Sequence, residues 1–115
     1  RELAEEVDLA AADWQVLTDY CTSPGGSDEV IRVYLARGLT SAVHDFERTG
    51  EEADMVTRWV DLDEAVDAVL EGRVANSIFQ VAVLTAHASR TRGWSTLRPG
   101  DSPWPQLDWR DTNRP

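Results

Sequence analysis

Two strand-forming runs separated by a strong turn signal limit the fold of this chain more than any other feature. Residues 14–21 and 29–36 are rich in the aromatic and β-branched side chains that favour extended backbone. Residues 23–27, which lie between the two runs, read Ser-Pro-Gly-Gly-Ser, a cluster typical of a tight turn. We therefore expect the two runs to pair as an antiparallel hairpin or near-hairpin.

Alternation along these runs predicts which side chains share a face of the sheet, because successive strand residues point to opposite faces. In the first run, Trp14, Val16 and Tyr20 occupy alternating positions. In the second run, one face is formed by Ile31, Val33 and Leu35, and the other by Val30, Arg32 and Tyr34.

A polar stretch and a third strand candidate follow the hairpin. Residues 40–53 are polar and irregular. Loops of that length in compact domains are often functional. Residues 55–60 are again rich in strand formers, and they predict a third strand.

Helical periodicity is clearest after Asp61. Asp61 and Glu64 have capping-box spacing, and apolar residues then recur at helical intervals until Gly72 provides a C-terminal cap. A second helix is predicted from Asn76, a good N-cap, to about Arg92. Because this second helix is apolar on most sides, we expect it to be buried against the sheet. Strands followed by helices predict the α/β (α+β) class.

Residues 94–115 form a Pro- and Trp-rich tail. We expect irregular structure there, because proline interrupts the hydrogen bonding of helices and sheets. Trp94, Trp104 and Trp109 are candidates for fastening this tail to the domain or to a partner. We therefore predict two parts, a domain over residues 1–93 and an irregular tail over residues 94–115.

The charge balance narrows the classes of partner. Acidic residues outnumber basic ones by 21 to 11, which gives a formal net charge of −10 at pH 7. Nucleic-acid backbones and anionic membranes require clustered positive charge, so we expect neither as a partner. Carboxylates suit a divalent cation instead. With no signal peptide and no apolar run of membrane-spanning length, the expected location is cytoplasmic.

The cysteine content excludes two kinds of stabilising site. Cys21 is the single cysteine of the sequence. An intramolecular disulfide is therefore impossible, and so is a zinc site built on several thiolates. We interpret Cys21 as a small apolar residue within a strand.

Three glutamates near the start of the sequence are spaced for a common helix face. Glu2, Glu5 and Glu6 are separated by intervals of three and four residues, so a helix over residues 1–7 brings them together. Such a face is either a solvated acidic surface or a platform for Mg²⁺. That ion binds one or two protein carboxylates together with substrate phosphate oxygens. The spacing alone leaves both interpretations open.

The same residues carry a resemblance to a known family. Residues 1–9 resemble the second half of the Nudix box, with Asp8 standing where the box has Gly. Four further strings, at residues 23–29, 32–36, 51–55 and 76–78, resemble actinobacterial ADP-ribose pyrophosphatases. The resemblance implies a Nudix-type α/β/α sandwich with a mixed sheet and flanking helices. Because the first half of the box is not in the sequence, residues 1–93 are expected to be only the C-terminal part of that domain.

The resemblance also implies roles for individual residues. Glu2 and Glu6 would be the principal ligands of Mg²⁺, or of Mn²⁺ in its place, with Glu5 as a further ligand or a structural acceptor. Glu52, with Glu51 as the second choice, would position or deprotonate the attacking water from a loop that closes over substrate.

The turn residues have two interpretations. Gly25, Gly26 and Ser27 would let a ribose or phosphate approach the backbone closely, because glycine has no side chain to obstruct it. The simpler interpretation is that they form the hairpin turn. His44 and His87 are interpreted as structural, since the sequence shows no partner for either.

The reaction that the resemblance implies is Mg²⁺-dependent hydrolysis of ADP-ribose to AMP and ribose 5-phosphate, by an enzyme that forms a homodimer in the family. Two alternatives remain open. One is a truncated, non-catalytic Nudix-like domain that acts as a protein-interaction module. The other is a hydrolase of a different nucleoside diphosphate derivative, because enzymes with different substrates share the box.

Overall fold

The structure is a computed structural model in which residues 9–41 and 58–105 are described. The strands form one sheet in the order β2-β1-β3, and both pairings are antiparallel. This confirms the predicted α/β (α+β) combination of a sheet with helices, although no parallel pair occurs in the described ranges. In chain order the elements are β1 (Leu9–Cys21), β2 (Val30–Ser41), α1 (Leu62–Leu70), α2 (Ser77–Thr91) and β3 (Arg98–Pro99).

The predicted hairpin is present, and its strands are longer than expected. β2 continues to Ser41, so the start of the predicted loop belongs to the strand. Three backbone bonds close the turn. The amides of Gly26 and Ser27 both donate to the carbonyl of Ser23 at 2.9 Å, and the amide of Thr22 donates to the carbonyl of Glu29 at 3.3 Å. The turn signal therefore located the hairpin correctly.

A β-bulge in β1 changes which side chains share a face. Val16 opposes Tyr34, but the next paired residue, Thr18, already opposes Val33, so Leu17 is extra. After the bulge, Asp19 opposes Arg32. The expectation that Tyr20 shares a face with Val16 is wrong, because a single extra residue exchanges the two faces of the rest of the strand. The predicted faces of β2 agree with the register.

α1 begins and ends close to the predicted residues, but its start is built differently. Asp61 occupies the N-cap position, yet its side chain makes no capping hydrogen bond, so the predicted capping box is wrong. At the other end, Gly72 has a φ of 77° and its amide donates to the carbonyl of Val69 at 3.1 Å. That left-handed conformation is the one for which glycine is favoured, so the predicted C-terminal cap is confirmed.

α2 is capped as predicted and covers part of the sheet. The side chain of Asn76 accepts a hydrogen bond from the amide of Phe79 at 2.9 Å. Ala86 and Ser89 of this helix are buried. The prediction of a helix buried against the sheet is therefore confirmed only in part, because its first turns stay exposed. The buried apolar core consists of Val16, Leu17, Ala65, Val66 and Ala86, and the large exposed apolar residues of α2 are Ile78, Phe79 and Leu84.

Two predictions outside these elements are wrong. Residues 58–60 are not part of a strand, and Trp59 and Val60 are exposed; residues 55–57 of that predicted strand lie outside the described ranges. Beyond Gly93, β3 pairs with Gln15 and Val16, although wholly irregular structure was expected. Pro99 is tolerated there because β3 lies at the edge of the sheet, where the missing amide costs no ladder bond.

The segment after α2 folds back onto the sheet through a close backbone contact. The amide of Trp94, which has a φ of 62°, donates to the carbonyl of Ser89 at 2.9 Å. Further on, a Cβ added to Gly100 would lie 2.4 Å from the carbonyl oxygen of Trp14. Only glycine permits this approach without a shift of the backbone. Neither α1 nor α2 has the length and apolarity that crossing a membrane requires, and no other helix was found in the described ranges.

Candidate functional site

The glutamates expected to bind metal and activate water lie outside the described ranges. Glu2, Glu5 and Glu6 precede residue 9, and Glu51 and Glu52 fall between residues 42 and 57. Their roles therefore stay predictions. Within residues 9–41 and 58–105, no group of three or more His, Cys, Asp and Glu side chains is arranged to hold a metal ion.

The predicted substrate-binding residues of the hairpin turn lie within the described ranges. Gly25 and Gly26 are exposed, and a Cβ added to either would meet no atom within 4 Å. The hydroxyl of Ser27 accepts a hydrogen bond from the amide of Glu29 at 3.1 Å, which stabilises the exit from the turn. The hairpin-turn interpretation is confirmed, and contact with substrate stays a prediction.

A buried ion pair joins the two strands below this turn. The guanidinium of Arg32 binds both carboxylate oxygens of Asp19, with Nε to Oδ1 at 2.7 Å and Nη2 to Oδ2 at 3.1 Å. The Arg32 side chain is 2% exposed and that of Asp19 is 7% exposed. Arg98 of β3 donates to Oδ2 of Asp19 at 3.1 Å. A two-point arginine–carboxylate contact fixes both distance and orientation, so the strands are held in one register here.

The far side of the Arg32 guanidinium holds the C-terminal segment. Nη1 donates to the carbonyl of Ser102 at 2.6 Å, and Nη2 donates to that of Pro103 at 2.8 Å. The ring of Trp104 lies over the same guanidinium, 4.3 Å from ring centroid to Cζ. Trp94 similarly lies over Arg37 at 5.1 Å. These contacts confirm that Trp94 and Trp104 fasten the tail to the domain; Trp109 lies outside the described ranges.

Electrostatics keep both members of the pair ionised. The hydrogen bonds from Arg32 are the main reason that the pKa of Asp19 lies below its usual value, with Arg98 adding to the effect and burial opposing it. The hydrogen bond to Asp19 in turn raises the pKa of Arg32. Asp19 is therefore a permanent carboxylate near neutral pH, and it is unsuited to proton transfer. It is suited to positioning the hairpin.

Other aromatic side chains, in the sheet and on α2, lie in surroundings that indicate a structural role. Trp14 and Tyr34 meet edge to face, with ring centroids 6.0 Å apart. The buried hydroxyl of Tyr20 has no hydrogen-bond partner among the described residues. On α2, His87 Nδ1 lies 3.2 Å from a guanidinium nitrogen of Arg90, a partner that sequence reasoning missed.

Comparison with known proteins gives a specific relative. No family model matches the chain. The chain is 49% identical over 104 residues to the ADP-ribose pyrophosphatase of Mycobacterium tuberculosis, a match that covers 90% of this chain and 49% of the relative. The chain is similar to half of an ADP-ribose pyrophosphatase. A methanol dehydrogenase activator of Bacillus methanolicus is 33% identical over 85 residues, or 72% of this chain and 44% of that protein. The chain thus spans about half the length of the curated relatives it matches.

Sequence reasoning missed the ion pair, although a signal was present. Asp19 is the one charged residue of the run 14–21, and Arg32 is the one basic residue of the run 29–36. Opposite charges on two pairing strands suggest a cross-strand pair. Strict alternation from Val16 opposite Tyr34 would have placed Thr18, not Asp19, opposite Arg32. The bulge had to be known before the pair could be recognised.

Proposed function

We propose that this chain is part of a Nudix-type hydrolase that cleaves the diphosphate of ADP-ribose to give AMP and ribose 5-phosphate. The observation that carries the proposal is the 49% identity to an ADP-ribose pyrophosphatase over 90% of the chain. It agrees with the resemblance of the first nine residues to the Nudix box. The Bacillus relative is compatible with the same domain type, although its name refers to activation of another enzyme.

The metal in this proposal is Mg²⁺, and the donor set fits it. Glu2 and Glu6, with Glu5 as a further candidate, supply carboxylate oxygens at helical spacing, which is the ligand chemistry that Mg²⁺ prefers. When bound, such an ion offsets the charge of a diphosphate. Glu52, or Glu51 as the second choice, holds the attacking water and accepts its proton.

The described part of the chain supports this proposal by fixing the hairpin. Asp19 and Arg32 lie on the two strands that enter and leave the turn containing Gly25, Gly26 and Ser27. A turn on a rigid hairpin keeps a constant position, although the amides of Gly26 and Ser27 are already bonded to the carbonyl of Ser23. Open space around both glycines leaves room for a ribose or phosphate to reach the backbone. In this proposal, the ion pair is a positioning element for the substrate-facing turn.

A substrate panel tests the reaction class. The chain is incubated with Mg²⁺ and, separately, with ADP-ribose, ADP-glucose, NADH and 8-oxo-dGTP, and the products are separated by ion-exchange chromatography. We expect AMP from ADP-ribose at the highest kcat/KM. Faster cleavage of one of the other three, to AMP from ADP-glucose or NADH or to 8-oxo-dGMP from 8-oxo-dGTP, would keep the Nudix chemistry and replace the substrate. Glu52→Gln and Glu51→Gln are compared on the best substrate, and a larger loss of kcat for Glu52→Gln is expected.

A second candidate function is a protein-interaction module, and one observation favours it. Trp59 and Leu70 are 76% and 71% exposed, so both large apolar side chains are accessible to a partner. Sedimentation velocity over a hundredfold range of concentration tests self-association, including the homodimer expected from the resemblance. A sedimentation coefficient that does not rise with concentration would remove the self-association that this candidate predicts.

A further inference from the structure

A cavity of about 270 Å³ opens between the segment before α1, α1 itself and the first turn of α2. We call it the α1–α2 cavity. The side chains that determine its chemistry are Arg58, Glu64, Ala65, Arg73, Val74 and Phe79. It is separate from the Asp19–Arg32 pair and from the hairpin turn, none of whose residues line it.

Two arginines line this cavity although the whole chain is acidic. Arg58 has no ion pair in the described ranges. Arg73 donates through Nε to Glu71 at 2.8 Å, and both side chains of that pair are more than half exposed, so it is weak and leaves the two terminal nitrogens of the guanidinium available. Glu64 is the single carboxylate among the lining side chains. Arg58 and the free terminal nitrogens of Arg73 line the cavity. Glu71 pairs with Arg73 from outside it, while Glu64 is the carboxylate inside. Unoccupied guanidinium donors facing a cavity favour an anionic ligand.

The floor of the cavity is apolar, and its rim is held by hydrogen bonds. Ala65 is buried, and the ring of Phe79 is partly exposed beside it. The amide of Arg73 donates to the carbonyl of Ala68 at 2.9 Å, directly after the glycine that ends α1. The side chain of Gln80 donates to the carbonyl of Val74 at 3.1 Å. These bonds fix the loop that carries Arg73, so the guanidinium leaves a defined backbone position.

Size and chemistry together identify the class of ligand. The volume of about 270 Å³ lies just below the usual range of roughly 300–1,000 Å³ for small-molecule sites, so a dinucleotide or an intact nucleoside diphosphate sugar would overfill it. Guanidinium groups match the oxygens of a phosphate, and an aromatic ring stacks with a base. We infer that the α1–α2 cavity binds a nucleoside monophosphate, with its phosphate between Arg58 and Arg73 and its base against Phe79.

The binding can be measured separately from hydrolysis. Isothermal titration of the whole chain with AMP is carried out in EDTA, so that a metal-dependent reaction does not contribute. Adenosine and inorganic phosphate are titrated in parallel. We expect AMP to bind more tightly than phosphate, and adenosine to bind at least about tenfold more weakly than AMP, because charge-assisted bonds to the phosphate carry most of the affinity. Absence of AMP binding, or equal affinities for AMP and phosphate, would overturn the inference.

Substitutions at the cavity should change the Kd of AMP in opposite directions. Replacing both guanidiniums, Arg58→Gln with Arg73→Gln, should raise the Kd of AMP at least about tenfold. Glu64→Gln should lower it about twofold to threefold by removing the opposing charge, a gain that misfolding cannot produce. Phe79→Ala should weaken AMP binding and leave phosphate binding unchanged. Arg92→Gln, an exposed arginine outside the cavity, is the control. An unchanged Kd in the double variant, whatever the other results, would show that AMP binds elsewhere and would overturn the assignment.

Discussion

Asp19 and Arg32 face each other across β1 and β2 because Leu17 is an extra residue in β1. The register passes from Val16 opposite Tyr34 to Thr18 opposite Val33, and the ion pair occupies the next position. Arg32 then reaches beyond the pair to the carbonyls of residues 102 and 103. The bulge thus sets the register in which the Asp19–Arg32 pair connects the hairpin with β3 and with the C-terminal segment.

Removal of the Arg32 charge should destabilise the fold more than removal of the Asp19 charge. Asp19→Asn removes one acceptor and leaves a buried guanidinium without its counter-charge, so we expect the melting temperature to fall by at least about 5 °C. Arg32→Gln should lower it further, because the bonds to Ser102 and Pro103 are lost as well. Thermal unfolding followed by circular dichroism measures both.

The double variant and a strand control complete this test. Asp19→Asn combined with Arg32→Gln should cost less than the sum of the two single effects, because no buried charge is then left without its partner. Arg98 also loses Asp19, but its side chain is about half exposed and stays solvated. Asp13→Asn, an exposed aspartate on the same strand, should change the melting temperature little. Additive effects of the two substitutions would contradict the buried pair.

The contribution of Asp19 should depend on pH in a defined direction. Its pKa is lower in the folded state than the ordinary value of 3.8, chiefly through the hydrogen bonds from Arg32. A lowered folded-state pKa means that the stabilisation is fully present above about pH 4 and is lost as the pH falls through the folded-state pKa. The difference in unfolding free energy between the wild type and Asp19→Asn should therefore be constant near neutral pH and shrink below pH 4. Denaturant unfolding at a series of pH values measures that difference; a difference that grows on acidification would contradict it.

Substitution by alanine should have different effects on stability at two glycines. Gly100→Ala places a Cβ 2.4 Å from the carbonyl oxygen of Trp14, so β3 must move and we expect a loss of about 1–3 kcal/mol. Gly25→Ala meets no atom within 4 Å and should stay within about 0.5 kcal/mol of the wild type. Urea unfolding compares the two. Equal losses would show that the contact between Gly100 and β1 is not a constraint.

The two helix starts form a second matched pair. Asn76→Ala removes the hydrogen bond to the amide of Phe79, and we expect it to cost about 1 kcal/mol. Asp61→Ala removes no capping bond and should cost only a few tenths of a kcal/mol, through the helix dipole. Unfolding free energies of the two variants decide the point; a larger cost for Asp61→Ala would mean that its side chain caps α1 in solution.

Local signals predicted the elements that local interactions build. The turn at residues 23–27, the cap at Asn76 and the end of α1 at Gly72 each depend on residues adjacent in sequence, and each is present. Asp61 shows the limit of such reasoning. Spacing gives the opportunity for a capping box, whereas the bond depends on the side-chain conformation.

Features that depend on distant contacts were not predictable in the same way. The bulge is set by the partner strand and by packing on both faces. Its one trace in the sequence is that two consecutive residues, Val16 and Leu17, are apolar; the structure shows that both are buried. β3 depends on a glycine that lets Pro99 and its neighbours approach β1. For the candidate site, sequence supplied glutamates whose roles stay predictions, and the structure added the Asp19–Arg32 pair.

The most direct measurement of the proposed function is the rate of AMP formation from ADP-ribose by the 115-residue chain, with and without Mg²⁺, beside the Glu6→Gln variant. We expect AMP and ribose 5-phosphate in equal amounts, only when Mg²⁺ is present, and a rate at least about a hundredfold lower for Glu6→Gln. Unchanged circular dichroism of the variant serves as the folding control. No AMP from the wild type at any Mg²⁺ concentration, or the same rate with and without Glu6, would contradict the proposal.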